Sequence, residues 1–206
     1  MKNLTIPLTE NAVRSLQVGD PVSLSGVMIT GRDTVHKWMI DTFVKETRQP
    51  TDDDITVYRS IKPILNNGII YHCGPVVARL ETGNYKFVAA GPTTSTREEP
   101  YQGDVMRHFT IRGVIGKGGM GPKTLQACQE LGGVYLHAIG GAASLIAKSV
   151  TQVIEVYKLE FGVPEAMWVI QVKDFPAVVT MDSHGKSLHA EVESSSANAL
   201  EGLLQD

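Results

Sequence analysis

The chain has 206 residues, 42% of them hydrophobic and 20% charged, with a formal net charge of −3. This suits one globular domain with a substantial core, and the mild negative charge excludes the basic stripe that a nucleic-acid surface requires. No apolar run approaches the roughly 20 residues a membrane helix needs, and Met1 to Glu10 lack the apolar stretch of a secretory signal, so the expected compartment is the cytoplasm. Cys73 and Cys128 are the two cysteines. In a cytosolic chain they are expected to be free and buried, and they are too few to hold an iron–sulfur cluster alone.

In chain order, residues 15–20 read as a turn closed by Gly19-Asp20-Pro21. Val22 and Leu24 then alternate with serines, and after Gly26 the apolar phase shifts to Val27 and Ile29. That phase shift predicts a strand with a bulge at the glycine. A helix is expected over 34–45, burying Val35, Trp38, Met39 and Phe43, which puts Arg32 at a strand-to-helix junction. Residues 48–67 begin polar, with Pro50 and Asp52-Asp53-Asp54, and are expected to form an exposed excursion with a solvated acidic tip. A short strand over 68–73 follows, then a hairpin pairing 76–80 with 85–90.

Pro100 and Gly103 predict that 94–109 is helical only in part. Residues 111–115 form a strand that feeds Gly116-Lys117-Gly118-Gly119-Met120-Gly121, and Pro122 suits the first position of a helix stopped by Gly132-Gly133. A strand over 134–139 and a small-residue helix over 142–150 complete a β-loop-α-β-loop-α pattern, which predicts parallel strands with their loops gathered at one end. Residues 166–172, 177–181 and 187–192 read as an antiparallel meander, and 193–206 as a frayed tail. The expected fold is α/β in one domain over 1–206: a mixed sheet with a parallel β-α-β core and an antiparallel C-terminal part.

Two glycine-framed loops stand out, Gly91-Pro92-Thr93-Thr94 with Arg97, and Gly116 to Gly121 around Lys117. Glycine lets backbone approach a ligand, and helix N-termini attract anions. The second loop matches G-x-G-x-x-G between a strand and a helix, the dinucleotide pattern, yet no acid for a ribose occurs between Glu130 and Glu155. As a phosphate loop it is interrupted by Pro122, which removes an N–H from the cradle. A stand-alone dinucleotide or small-anion binding module remains one reading. On a purely structural reading, Thr93 and Thr94 are helix caps and Arg97 is a surface residue. His36, His72, His108, His137, His184 and His189 show no zinc-ligand spacing, and His137 reads as a core histidine.

Taken together, Gly31 to His36, Gly91 to Thr94 with Arg97, and Gly116 to Pro122 resemble one family, as do Ala138 to Ala143, Glu165 to Trp168 and Lys173 to Pro176. It is the β subunit, or equivalent C-terminal domain, of iron–sulfur class I fumarases and L-tartrate dehydratases. The resemblance runs through nearly the whole chain in order. It implies a swivelling β/β/α domain and a hydro-lyase that reversibly hydrates fumarate to malate, or alternatively converts tartrate to oxaloacetate. It further implies a 4Fe-4S cluster held by a partner α subunit, with no cluster or metal ligand in this chain, and a hetero-oligomer such as two α with two β subunits. Arg32, Arg97 and Lys117 carry over as carboxylate-binding cations and Thr93 as the catalytic base. Ser95-Thr96 and Glu98-Glu99 depart from the small or methionine residues associated with the family's arginine loop.

Overall fold

Alternation along the strands sets up two apolar clusters, and the strands close on themselves to separate them. The computed structural model describes residues 1–204. Strand β1 (Lys2–Ile6) leads through helix α1 (Glu10–Arg14), capped by Thr9, into β2 (Pro21–Thr30). Helix α2 (Asp33–Met39) continues as a π turn over Ile40–Val44, and α3 (Asp52–Leu65) leads to β3 (Ile69–Tyr71). Strands β4 (Val76–Ala78) and β5 (Lys86–Ala89) form the expected antiparallel hairpin. A 3₁₀ turn over Ser95–Glu98 runs into α4 (Glu99–Phe109), and β6 (Gly113–Gly116), α5 (Pro122–Leu131) and β7 (Val134–His137) follow. After α6 (Ala143–Ala147) come β8 (Val150–Tyr157), β9 (Met167–Met181) and α7 (Leu188–Leu203).

Strands β2, β3, β6 and β7 lie parallel in that order, as the β-α-β pattern predicts. Strand β9 runs antiparallel to both β2 and β7, which closes the sheet into a ring, while β1 and β8 extend it from β2 and β9. Because successive strand residues point to opposite faces, Ile69, Tyr71, Val134, Leu136, Trp168 and Ile170 fill one cluster. Their neighbours Ile70, Tyr135, Met167 and Val169 fill the other, under Val35, Ile61, Phe109 and Cys128 of the helices. The bulge expected at Gly26 is present as a register shift between β2 and β9. Gly26 has φ 134, and a Cβ there would come 2.5 Å from the Ile6 carbonyl oxygen of β1. Both conditions require glycine.

Three segments differ from expectation. Residues 48–67 are mostly helix rather than an excursion, because Thr51 and Asp54 form a capping box that starts α3. Asp54 is therefore fully buried, not part of a solvated tip. It accepts from Trp38 Nε1 at 2.8 Å and Arg48 Nη2 at 2.8 Å, and pairs with Lys158 Nζ at 2.8 Å. The partial helix over 94–109 is continuous from Glu99: Pro100 falls in the first turn, where no N–H is needed. A Cβ at Gly103 would lie 3.0 Å from the Lys123 carbonyl oxygen, so this glycine permits a close crossing of α4 over α5.

The expected meander is one long strand, β9, with Asp174 at φ 53 where its pairing along β2 changes register. Its expected third strand is instead the start of α7, where Ser187 Oγ accepts the Ala190 N–H at 3.4 Å as the N-cap. The segment expected to fray from Glu193 continues this helix to Leu203, with Leu200 and Leu203 exposed, and residues 205–206 of that segment lie outside the described residues. Strand β8 was not expected; its side chains are mostly half-buried or exposed, which blurs any alternation.

Burial opposes ionisation of Asp54, but bonds from Lys158, Thr51 and Trp38 outweigh it and hold the carboxyl below its usual range. Asp54→Ala should cost about 3 kcal/mol in urea unfolding at neutral pH, since it strips a buried ammonium of its buried partner. Because the folded carboxyl is the stronger acid, this contribution is present above the ordinary aspartate range and declines as pH falls toward the depressed value. Unfolding curves across acidic pH should therefore bring wild type and variant together.

Candidate functional site

Four parallel strands present their C-terminal ends on one side, where parallel α/β sheets, open or closed, commonly take their ligands. Arg32 stands two residues past β2 and Lys117 directly past β6. Just past β3, the His72 carbonyl accepts the Thr93 N–H at 2.7 Å. The Lys117 N–H then donates to the Thr93 carbonyl at 3.2 Å, and the Ser95 N–H to the Lys117 carbonyl at 3.0 Å. The first glycine-framed loop is thus laid between the ends of β3 and β6 and bonded to the second. Arg97, on the 3₁₀ turn that follows, reaches Asp33 at 3.5 Å, beside Arg32. Thr93 and Lys117 are thus joined by backbone bonds, while Arg32 stands at the end of β2 and Arg97 reaches its neighbour Asp33, although the four lie up to 85 positions apart in the chain.

The side chains differ in how they are held. Arg32 Nη1 pairs with Glu165 at 3.0 Å, and the other Glu165 oxygen accepts the Thr34 N–H at 3.3 Å. Arg32 Nε is buried without a partner, and so is the Thr93 hydroxyl oxygen. A Cβ at Gly74 would come 2.6 Å from Arg32 Nη1, so glycine leaves room for the guanidinium. Arg97 is about half exposed, at 49%. Opposite, a Cβ at Gly140 would approach Lys117 Cδ at 3.6 Å. Three cations with an uncommitted donor and hydroxyl among them can grip an anion bearing more than one carboxylate.

Beneath this cluster lies a buried polar network that sequence reasoning missed. His36 Nδ1 is 2.9 Å from the Arg32 carbonyl, and its Nε2 is 2.9 Å from Gln102 Oε1. His72 Nε2 lies 2.8 Å from the same oxygen, and its Nδ1 2.8 Å from Ser95 Oγ, which also accepts from the Tyr135 hydroxyl at 2.9 Å. Burial lowers the pKa of both histidines, His72 to about 3 with help from neighbouring His36. Both rings are therefore neutral. A carbonyl only accepts, so His36 Nδ1 carries the proton and its Nε2 must accept. Every contact is satisfied when the Gln102 amide turns its NH₂ toward both Nε2 atoms and His72 Nδ1–H donates to Ser95. The network thereby ties the backbone at Arg32 to that at His72, which holds Thr93. Its histidines have no motif spacing, so only the fold could reveal it. Gln102→Leu should orphan two buried ring nitrogens and cost about 1–3 kcal/mol for each, read by denaturant unfolding.

The G-x-G-x-x-G reading meets a physical obstacle. Gly118 and Gly119 have φ 77 and 80, and Ser95 Oγ fills the place a Gly116 Cβ would take. The glycines are explained by turn geometry and close packing. The N-terminus of α5, where a pyrophosphate would sit, already holds a carboxylate. Glu99 accepts from the N–H groups of Gly121 and Lys123 at 2.9 Å each, and from the Thr124 hydroxyl at 2.6 Å. A dinucleotide would have to displace it.

The thiols do not fit an iron–sulfur cluster. Cys73 and Cys128 are free and fully buried, in different apolar clusters, and burial pushes both up to about 12, where they stay protonated. Among the described residues no group of three or more His, Cys, Asp or Glu is placed to hold a metal, and no helix is long and apolar enough to cross a membrane.

The closed mixed sheet, with helices between its parallel strands and a separate antiparallel hairpin, defines an α/β domain. Residues 2–192 match the family described as Fumarase C-terminus, and the chain belongs to that family. It is 55% identical over 197 residues to a Geobacillus stearothermophilus protein provisionally named a class I fumarate hydratase, covering 96% of this chain and 35% of that protein. It thus spans about a third of that relative's length. The L(+)-tartrate dehydratase subunit beta of Escherichia coli K12 is 36% identical over 191 residues, covering 92% of this chain and 87% of the subunit. A Methanocaldococcus jannaschii protein provisionally named as the same subunit is 39% identical over 187 residues, covering 90% and 89%.

Proposed function

We propose that this chain is the β subunit of a cytoplasmic iron–sulfur hydro-lyase that reversibly hydrates fumarate to malate. The observation that carries this reading is the unpaired Thr93 hydroxyl on a loop bonded backbone to backbone with Lys117, with Arg32 at the neighbouring strand end and Arg97 against Asp33 beside it, in a chain 55% identical to a fumarate hydratase-named relative. The α subunit is assigned the 4Fe-4S cluster, because the thiols here do not suit one, and activity requires that subunit in a hetero-oligomer.

In this reading the cations bind the two carboxylates of the substrate and orient it over Thr93. Arginine suits the task through paired N–H donors, and Lys117 adds a compact charge. In the dehydration direction Thr93 Oγ1 removes the proton from the carbon next to a carboxylate, and negative charge builds on that carboxylate as the proton leaves. The same cations then bind the transition state more tightly than the ground state. An alcohol is a poor base in water, so the fields of Lys117 and Arg97 must favour its alkoxide character. The buried histidine–glutamine network contributes by keeping Thr93 and Arg32 in register.

A second reading, the β subunit of an L-tartrate dehydratase, is favoured by one observation: this chain covers 87–89% of two such subunits but a third of the fumarase-named protein. Anaerobic co-expression with a cluster-bearing partner, followed by assays with fumarate, malate and both tartrate enantiomers, separates the two. Turnover of fumarate and malate is expected, and activity confined to tartrate would reverse the ranking. In the assembled enzyme Thr93→Ala should lower kcat by about 10²–10⁴-fold with little change in KM. Near-full turnover would remove Thr93 from its role as base.

A further inference from the structure

Glu98 ends the 3₁₀ turn that carries Arg97, and it has no place in the chemistry above. It is completely buried, and neither of its carboxyl oxygens has a donor; Oδ1 of Asp33 is likewise buried without one. Arg97, next to Glu98 in the chain, reaches that same Asp33 oxygen at 3.5 Å, which places both unpartnered carboxyl groups where the start of α2 faces the 3₁₀ turn. Ionised carboxylates only accept hydrogen bonds, so two of them can touch in a buried place only if one keeps a proton. Asp33 is the partner with access to charge, since Arg97 stands 3.5 Å from it and its side chain is 40% exposed.

We propose that Glu98 is protonated at neutral pH and donates to Asp33, forming a one-proton acid pair that positions Arg97 and sets the charge of the substrate site. Burial first, then the negative charge of Asp33, push Glu98 up to about 8, against the opposing charge of Arg97. Burial would also raise Asp33, but the bond from Glu98, its own N–H, Arg97 and Arg32 hold it below the usual range. The groups that face the pair are Arg97 on its own turn, Arg32 beside α2, the Tyr135 phenol of β7, and the neutral rings of His36 and His72. A second buried negative charge is the unfavourable state here, so the proton belongs to the pair as a unit.

The charge balance gives the pair its consequence for binding. With Glu98 neutral, the cations Arg32, Arg97 and Lys117 exceed the carboxylates Glu165 and Asp33 by one charge. Loss of the shared proton to solvent cancels that excess. Resting on the dicarboxylate reading above, this predicts that affinity for a dianion weakens as pH rises through the titration of the pair. Glu98 would act through Asp33 and Arg97, as a positioning residue.

The decisive experiment is carbon NMR of the full-length chain labelled at glutamate side-chain carboxyls, titrated across pH. One glutamate should titrate near 8, and its signal should be missing in Glu98→Gln. All glutamates titrating in the ordinary range would overturn the proposal in the wild-type chain itself, whether or not the variant folds. A high-titrating signal that persists in a folded Glu98→Gln would also overturn it, and Asp33→Asn should move the titration downward if Asp33 is the partner. Because the folded state retains a proton that the unfolded chain releases, urea stability should fall from about pH 5 to about pH 8 and then level off. Glu98→Gln should flatten that decline. In the assembled enzyme, KM for the dicarboxylate should rise about tenfold across the same interval for a one-charge change, with kcat changing less, and the variant should lose the dependence. A failed KM arm with the NMR titration intact would count against the substrate reading and leave the acid pair standing.

Discussion

Everything at the candidate site depends on β9 pairing with both β2 and β7. That double pairing turns a row of parallel strands into a closed ring and holds the C-terminal ends of β2, β3, β6 and β7 together. Closure leaves few ways to relax: the register break at Gly26 and the left-handed Asp174 are where the ring absorbs its curvature. With the strand ends fixed, two short loops bonded backbone to backbone are enough to bring Thr93 beside Lys117.

Gathering cations is costly unless carboxylates accompany them, and the site shows how the balance is struck. Glu165 holds Arg32 and Asp33 faces Arg97, yet buried donor and acceptor atoms at Arg32 and Thr93 stay unpaired. Unpaired buried polar atoms lower stability, and in the proposed function an incoming carboxylate satisfies those at Arg32. The neutral histidines below contribute no competing charge. They supply hydrogen bonds from rings that burial keeps deprotonated, which fixes backbone without adding to the repulsion among Arg32, Arg97 and Lys117.

The second glycine loop shows how one motif can be read for the wrong chemistry. Its glycines are needed for left-handed backbone and for the approach of Ser95 and His189. The helix N-terminus behind it is satisfied internally by Glu99. Lys117 is the cationic side chain of this loop, and in the proposed function the motif serves a cation platform more than a phosphate cradle.

Much of the fold was legible in the order of residues because periodicity is local. The bulge at Gly26, the hairpin after Cys73 and the parallel unit from Ile111 onward all follow from apolar phase, glycine and proline within a few positions. The candidate residues Arg32, Thr93, Arg97 and Lys117 could be named from loop chemistry and family resemblance. Their assembly could not be read so directly, since it depends on pairings between strands far apart in sequence. The same limit hid the burial of Asp54, which depends on Trp38, Arg48 and Lys158, and the union of His36, His72, Gln102, Ser95 and Tyr135. Local spacing carried the elements and the chemical types. Only the closed sheet decided which charges would be buried, which would be paired, and that the Glu98 carboxyl would be buried without a donor, because burial and electrostatics are set by neighbours in space.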